Sequence, residues 1–76
     1  MQIIKIGSVE LFETEARRFF EEGRYLVTYS KIYKIIRKGG RFCGKVVHTE
    51  KGMTRRGRFF AMDATTIYNI FGLHLN

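Results

Sequence analysis

Two consecutive glycines, Gly39-Gly40, separate two stretches rich in β-branched and aromatic residues, and they are the strongest constraint on the fold. Residues 24–38 and 42–49 have the composition of β-strands. Glycine at both central positions suits a two-residue turn, because such turns require positive φ. The pattern predicts an antiparallel hairpin. A third strand at residues 58–62, after a loop at 50–57, extends it to a three-stranded meander.

Segments on either side of the meander complete the predicted fold. Residues 2–6 are apolar and β-prone. Ser8 is predicted to cap a helix that ends at Gly23, since the apolar residues between them recur at helical spacing. Asp63 and Gly72 bracket a short last helix. The predicted class is α+β, a single small basic domain over residues 1–76: N-terminal strand, helix, three-stranded antiparallel meander and short C-terminal helix.

A second interpretation of residues 24–38 stays open. Tyr25, Tyr29, Ile32 and Ile36 also follow helical spacing. If residues 28–38 formed a helix, the chain would be winged-helix-like, with residues 50–57 as the wing.

The chain offers little for metal, cofactor or membrane chemistry. Its one cysteine, Cys43, cannot form an internal disulfide, which is typical of a reducing cytosol, so we expect a cytoplasmic protein. No apolar run approaches the roughly 20 residues that cross a bilayer. His48 and His74 lack the paired spacing of a zinc site. We therefore expect no metal, no small-molecule cofactor and no membrane partner.

Positive charge is concentrated in the middle of the chain. The whole sequence carries 14 Lys and Arg against 7 Asp and Glu, and its pI is near 10.0. Residues 1–23 hold three basic and five acidic residues, whereas residues 24–62 hold eleven basic residues and one acid, Glu50. A basic segment of this kind indicates a polyanionic partner.

Ten of these basic residues are candidate nucleic-acid contacts, and below they are called the ten candidate cations. We expect those in the Gly39-Gly40 turn and in a mobile, arginine-rich loop to contact phosphates, since guanidinium groups match phosphate oxygens bidentately. A meander would place the turn and the loop at opposite ends of the sheet. The alternatives are a solvated loop and a turn whose charges discourage aggregation. The phosphate contacts are Arg37, Lys38, Arg41, Lys51, Arg55, Arg56 and Arg58; Lys31, Lys34 and Lys45 widen the positive field.

Three tyrosines recur every four residues and would share one face of the predicted strand. Tyr25, Tyr29 and Tyr33 among lysines resemble a surface on which single-stranded bases stack. The alternative is that their rings pack against the core. Tyr29 and Tyr33 are kept as candidate contacts.

These features favour a nucleic-acid-binding module without catalysis, with RNA ranked ahead of DNA and with weak sequence preference. One alternative is a small regulator or inhibitor that binds an acidic protein. A second is a small toxin-like ribonuclease in which His48 acts beside Arg41 and Lys45. Simple alternation along a strand places Cys43 and His48 on opposite faces, which argues against a Cys–His pair.

The order helix, three strands, helix over residues 8–72 resembles double-stranded-RNA-binding domains and small RNA-cleaving toxins. The resemblance is limited to architecture. The toxins' Gly-Ser-His stretch has no counterpart, and the second helix begins with Asp63-Ala64-Thr65-Thr66 instead of a lysine-rich segment. The sequence therefore assigns no family.

Overall fold

The computed structural model describes residues 1–75 and confirms the α+β class. One helix lies between the second and third strands in chain order, and a second helix follows the last strand. The elements are β1 (Ile3–Ile6), β2 (Val9–Phe12), α1 (Glu13–Glu21), β3 (Tyr25–Val27), β4 (Lys31–Lys38), β5 (Arg41–Thr49), β6 (Phe60–Met62) and α2 (Ala64–Phe71). Strands β1 and β2 form a hairpin of their own, and β5-β4-β3-β6 form a four-stranded antiparallel sheet.

The first helix begins later than predicted, because residues 9–12 pair with β1. Val9 and Leu11 are buried while Glu10 and Phe12 are exposed, so an alternation of period two prevails over the helical spacing. Ser8 is consequently not an N-cap: it lies in the β1–β2 turn. The Phe12 amide donates to the Glu15 carboxylate (3.1 Å) at the actual start of α1.

The stretch 24–38 is two strands instead of one. A tight turn at residues 28–30 reverses the chain, and Thr28 closes it: its hydroxyl donates to the Lys31 carbonyl (2.7 Å) and accepts from the Lys31 amide (3.1 Å). Because residues 31–38 are strand, the winged-helix alternative is wrong. Because β3 is a separate strand, β6 pairs with it. A three-stranded meander would have paired β6 with β5.

Each face of the four-stranded sheet carries its own core. On one face, the β1–β2 hairpin and α1 cover Leu26, Tyr33, Ile35 and Phe42. On the other face, Ile67 of α2 packs with Tyr25, Val27 and Ile32, helped by Met53, Leu73 and Leu75. Strand β3 is buried on both sides, with Leu26 and Val27 completely inaccessible. Within residues 1–75, no helix is long and apolar enough to cross a membrane.

The predicted C-terminal ends of both helices and the predicted start of α2 are confirmed. Gly23 (φ 69°) follows α1, its amide donating to the Phe20 carbonyl (3.2 Å), and the Arg24 amide reaches the Phe19 carbonyl (2.9 Å). Gly72 (φ 71°) closes α2. At the start of α2, the Thr66 amide donates to the Asp63 carboxylate (2.8 Å), and this hydrogen bond lowers the pKa of Asp63.

The hairpin and the sheet meet at two glycines. Gly7 lies in the β1–β2 turn with φ 62°, directly against the Tyr33 ring, and a Cβ there would overlap that ring. A Cβ on Gly44 of β5 would lie 3.0 Å from the Ile6 side chain and 3.1 Å from the Gly7 nitrogen. The two layers can therefore approach this closely only without a side chain at Gly7, and a side chain at Gly44 would require its neighbours to shift by a few tenths of an ångström.

Replacing Gly7 tests this contact, with Gly23 as the matched control. Both glycines have similar positive φ, but nothing lies within 4 Å of a Cβ at Gly23. We expect Gly23→Ala to lower the free energy of unfolding by about 1–2 kcal/mol through backbone strain. Gly7→Ala should lose about 1–3 kcal/mol more, because the Tyr33 ring must move. Urea denaturation measures both, and equal losses would contradict the close approach.

Candidate functional site

Four of the ten candidate cations form a regular array on strands β4 and β5. Lys34 lies directly opposite Lys45, and Lys38 lies directly opposite Arg41. Because even spacing along a strand keeps one face, both pairs point to the same side of the sheet, the side on which α2 packs. Ile36 and Cys43 form the pair between them. We call this surface the basic ribbon face: Lys34, Ile36, Lys38, Arg41, Cys43 and Lys45.

Helix α2 leaves the basic ribbon face open. Its core contacts on β4 and β5 are Ile32 and Val47, which lie toward the other end of the ribbon. The four cations are exposed, and Ile36 and Cys43 are half-buried. At the border, His74 and Leu75 line a depression of about 410 Å³ together with Lys34 and Lys45. The basic ribbon face is thus bounded by the C-terminal segment on one side and open toward the Gly39-Gly40 turn.

Five of the seven acidic side chains lie in a different layer. The five glutamates of residues 1–23 belong to the β1–β2 hairpin and α1 or follow α1 directly, on the opposite side of the sheet. Among residues 1–75, the only ion pairs of lysine or arginine are Arg17–Glu13 (3.3 Å) and Arg24–Glu22 (2.8 Å). None of the ten candidate cations is therefore neutralised by an ion pair in the described chain. Helix α2 contains no charged residue.

The arginine-rich loop is anchored, whereas the sequence predicted a mobile one. The Tyr29 carbonyl accepts hydrogen bonds from the amides of Gly52 (2.8 Å) and Met53 (3.1 Å), and the Glu50 amide donates to the Ser30 carbonyl (3.0 Å). The side chain of Met53 packs against the α2-side core. The loop is consequently fixed to the β3–β4 turn, a turn that β-propensity alone did not reveal.

The Arg56 side chain also contacts the β3–β4 turn. Its guanidinium carbon lies 4.5 Å from the centroid of the Tyr29 ring, and its Nη2 donates to the Tyr29 hydroxyl at 3.4 Å. Lys51, Arg55, Arg56 and Arg58 are all exposed. The Tyr29 ring therefore carries a cation over one of its faces and orients it.

The other two tyrosines are not on the surface. Tyr25 is 8% exposed and Tyr33 is 6% exposed, and they belong to different cores on opposite faces of the sheet. The predicted shared face is wrong, because the turn at residues 28–30 places them on separate strands. Tyr33 contacts the hairpin at Gly7 and is unavailable to a ligand.

Two further candidate cations lie on the α1 side of the sheet. Arg37 is opposite Phe42, and its guanidinium carbon lies 5.0 Å from the Phe42 ring centroid. Arg17 of α1 approaches the same ring at 5.9 Å. The sequence did not predict this pair of arginines around Phe42, because only tertiary packing brings α1 close to β5. Lys31, exposed at the start of β4, alternates onto the same side as Arg37.

The turn and the loop lie at opposite ends of β4, as predicted. Lys38 pairs with Arg41 at the turn, and Lys31 pairs with Thr49 at the end where the loop begins. Seven residues of strand separate the two ends by about 23 Å. The ten candidate cations thus form two main groups, the basic ribbon face and the loop, with Arg37 and Lys31 on the reverse side.

A β-bulge changes the relation between Cys43 and His48. The register shifts between Ile32 and Tyr33, so that His48 lies opposite Ile32 and Cys43 opposite Ile36. Both side chains therefore share one face, and the expectation of opposite faces is wrong. They are still about four residues apart along the ribbon, roughly 13 Å, so they form no reactive pair. The adjacent valines Val46-Val47, which break the alternation, were the available sequence signal.

His48 has a different neighbour. Its Nε2 lies 2.9 Å from Glu50 Oε1, and its side chain is only 26% exposed. In the described part of the chain, no group of three or more His, Cys, Asp or Glu side chains is arranged to hold a metal ion. The ribonuclease hypothesis stays a prediction that rests on His48.

No protein-family model, no curated protein and no solved structure matches this chain.

The opposed lysines of the basic ribbon face should destabilise the fold. We expect Lys45→Glu to raise the free energy of unfolding by about 0.2–1 kcal/mol, because an opposite-charge pair with Lys34 replaces a like-charge pair. Lys31→Glu is the control: it makes the same change of charge opposite the neutral Thr49. Denaturation at low and high salt measures both. The prediction fails if the two variants gain equally, or if the gain of Lys45→Glu persists in high salt.

Proposed function

We propose that this protein binds nucleic acid, mainly through backbone phosphates. The observation that carries the proposal is the in-register array Lys34–Lys45 and Lys38–Arg41, exposed and without an acidic partner in the described chain. Like charges placed directly opposite each other cost stability, and a polyanion would supply the missing counter-charge. A packed sheet fixes the backbone positions of these residues before a ligand arrives, which lowers the entropy lost on binding.

The anchored loop supports a second group of phosphate contacts. Hydrogen bonds to Tyr29 fix its backbone, and the Arg56 guanidinium is oriented by the Tyr29 ring. Arg55 and Arg58 extend the positive surface beside it. Phosphate contacts position a nucleic acid without reading its bases, so the proposal includes weak sequence preference. Phosphate contacts as such are common to RNA and DNA, so they give no support to the sequence-based ranking of RNA ahead of DNA.

Salt dependence measures the contribution of the basic ribbon face. If about five phosphates are neutralised, the plot of log K against log salt should have a slope near −4.5. Lys38→Gln/Arg41→Gln should flatten the slope by about 1.8, at 0.9 per lost contact. Lys5→Gln/Arg18→Gln removes one lysine and one arginine from the acid-rich layer and is the matched control. Fluorescence anisotropy with a labelled oligonucleotide provides the measurement; equal slopes for the two variants would remove the ribbon from the interface.

The loop is tested separately. Arg55→Ala/Arg56→Ala/Arg58→Ala should flatten the same slope by about 2–3, since up to three phosphate contacts are lost. Circular dichroism and the thermal midpoint show whether the loop variant keeps its fold. A folded variant with an unchanged slope would exclude the loop from the contacts.

If the wild type binds no oligonucleotide at low salt but forms a stoichiometric complex with an acidic protein, the proposed function is wrong and the alternative role as a regulator replaces it.

A further inference from the structure

We infer that the target is double-stranded DNA and that the basic ribbon face docks against its major groove. This inference rests on the proposed function and specifies its ligand. It uses three features of the ribbon: its two-stranded width, the corner positions of its cations and the lack of exposed aromatic rings between them.

Single-stranded ligands fit this surface poorly. Proteins that hold single strands stack successive bases on exposed aromatic side chains. The basic ribbon face carries no aromatic residue, since its six positions are Lys34, Ile36, Lys38, Arg41, Cys43 and Lys45. Of the nearby tyrosines, Tyr25 and Tyr33 are buried and the Tyr29 ring has Arg56 over one face. The exposed Tyr68 pairs with the His74 ring at 4.5 Å, at the border of the face and outside its cation rows. The cations are therefore matched to a ligand whose phosphates are already held in place, as in a duplex.

The dimensions of the ribbon select B-form DNA among duplexes. Paired strands lie about 4.8 Å apart, and the rows Lys34–Lys45 and Lys38–Arg41, four residues apart, are separated by about 13 Å. The B-form major groove, about 12 Å wide, admits a two-stranded ribbon. The deep and narrow major groove of A-form RNA does not. In this arrangement the corner cations reach the phosphates on the groove walls, while the row Ile36–Cys43 faces the base edges.

The remainder of the fold supports the ribbon from its reverse side and leaves its tip open. Its reverse side is filled by Ile35 and Phe42, which pack into the core under α1, so the face is rigidly supported. At the tip, Gly39 and Gly40 have no side chains, and nothing lies within 4 Å of their Cβ positions. The tip is consequently narrow and open, and the first obstacle on this side is the C-terminal segment beside Lys34.

Four labelled probes of one sequence and one length test the inference: duplex DNA, duplex RNA, single-stranded DNA and single-stranded RNA. We expect wild-type protein to bind duplex DNA roughly tenfold more tightly than either single strand, because a duplex presents more phosphate charge per unit length than a single strand does. Duplex RNA should bind more weakly than duplex DNA. Binding of no probe at low salt overturns the proposed function itself, whereas tighter binding of duplex RNA, or equal binding of single strands, overturns only this inference.

Methylation protection identifies the groove. Guanine N7 is exposed in the major groove, and adenine N3 is exposed in the minor groove. On a duplex with both bases, wild-type protein should protect guanine N7 from dimethyl sulfate and leave adenine N3 reactive. Lys38→Gln/Arg41→Gln should lose this protection, and Lys5→Gln/Arg18→Gln should keep it. Protection of adenine N3 alone, or a footprint that survives in the ribbon variant, contradicts docking of this face in the major groove.

Discussion

The structure depends on the close approach of the N-terminal hairpin to the sheet at Gly7, Tyr33 and Gly44. A Cβ at Gly7 would overlap the Tyr33 ring, and a Cβ at Gly44 would be in tight contact with the Ile6 side chain at 3.0 Å. This contact positions the hairpin and α1 as a layer over one face of β4 and β5. With that layer in place, Ile35 and Phe42 are buried, and the opposite face of the same ribbon segment is the one that remains open to solvent.

The two cores also segregate charge. Five of the seven acidic residues, all glutamates, belong to or directly follow the layer that covers one face, and α2, which covers part of the other, is uncharged. Helix α2 is short and packs near Ile32, so it leaves the tip half of the ribbon uncovered. The cations of the basic ribbon face therefore lie across the sheet from these glutamates. This separation follows from topology, because each layer is formed by one end of the chain.

Local sequence signals predicted the features that depend only on neighbouring residues. The Gly39-Gly40 turn, the cap at Asp63 and the helix ends at Gly23 and Gly72 were all confirmed. Features that require a distant partner were not accessible. The pairing of β6 with β3, and the anchoring of the arginine-rich loop on the Tyr29 turn, involve residues more than 20 positions apart. Residues 9–12 satisfied both a helical and an alternating pattern, and pairing with β1 decided between them.

The bulge explains why simple alternation along β5 gives the correct side of the sheet for the residues of the basic ribbon face and the wrong side for His48. On β5, Arg41, Cys43 and Lys45 all precede the register shift, so their spacing of two residues keeps them on one face. His48 follows it, and the extra residue brings its side chain to that same face beside Glu50. The bulge also increases the local twist of the strand pair. The regular, unbulged part of the ribbon is therefore the part where the spacing of the cations is repeated.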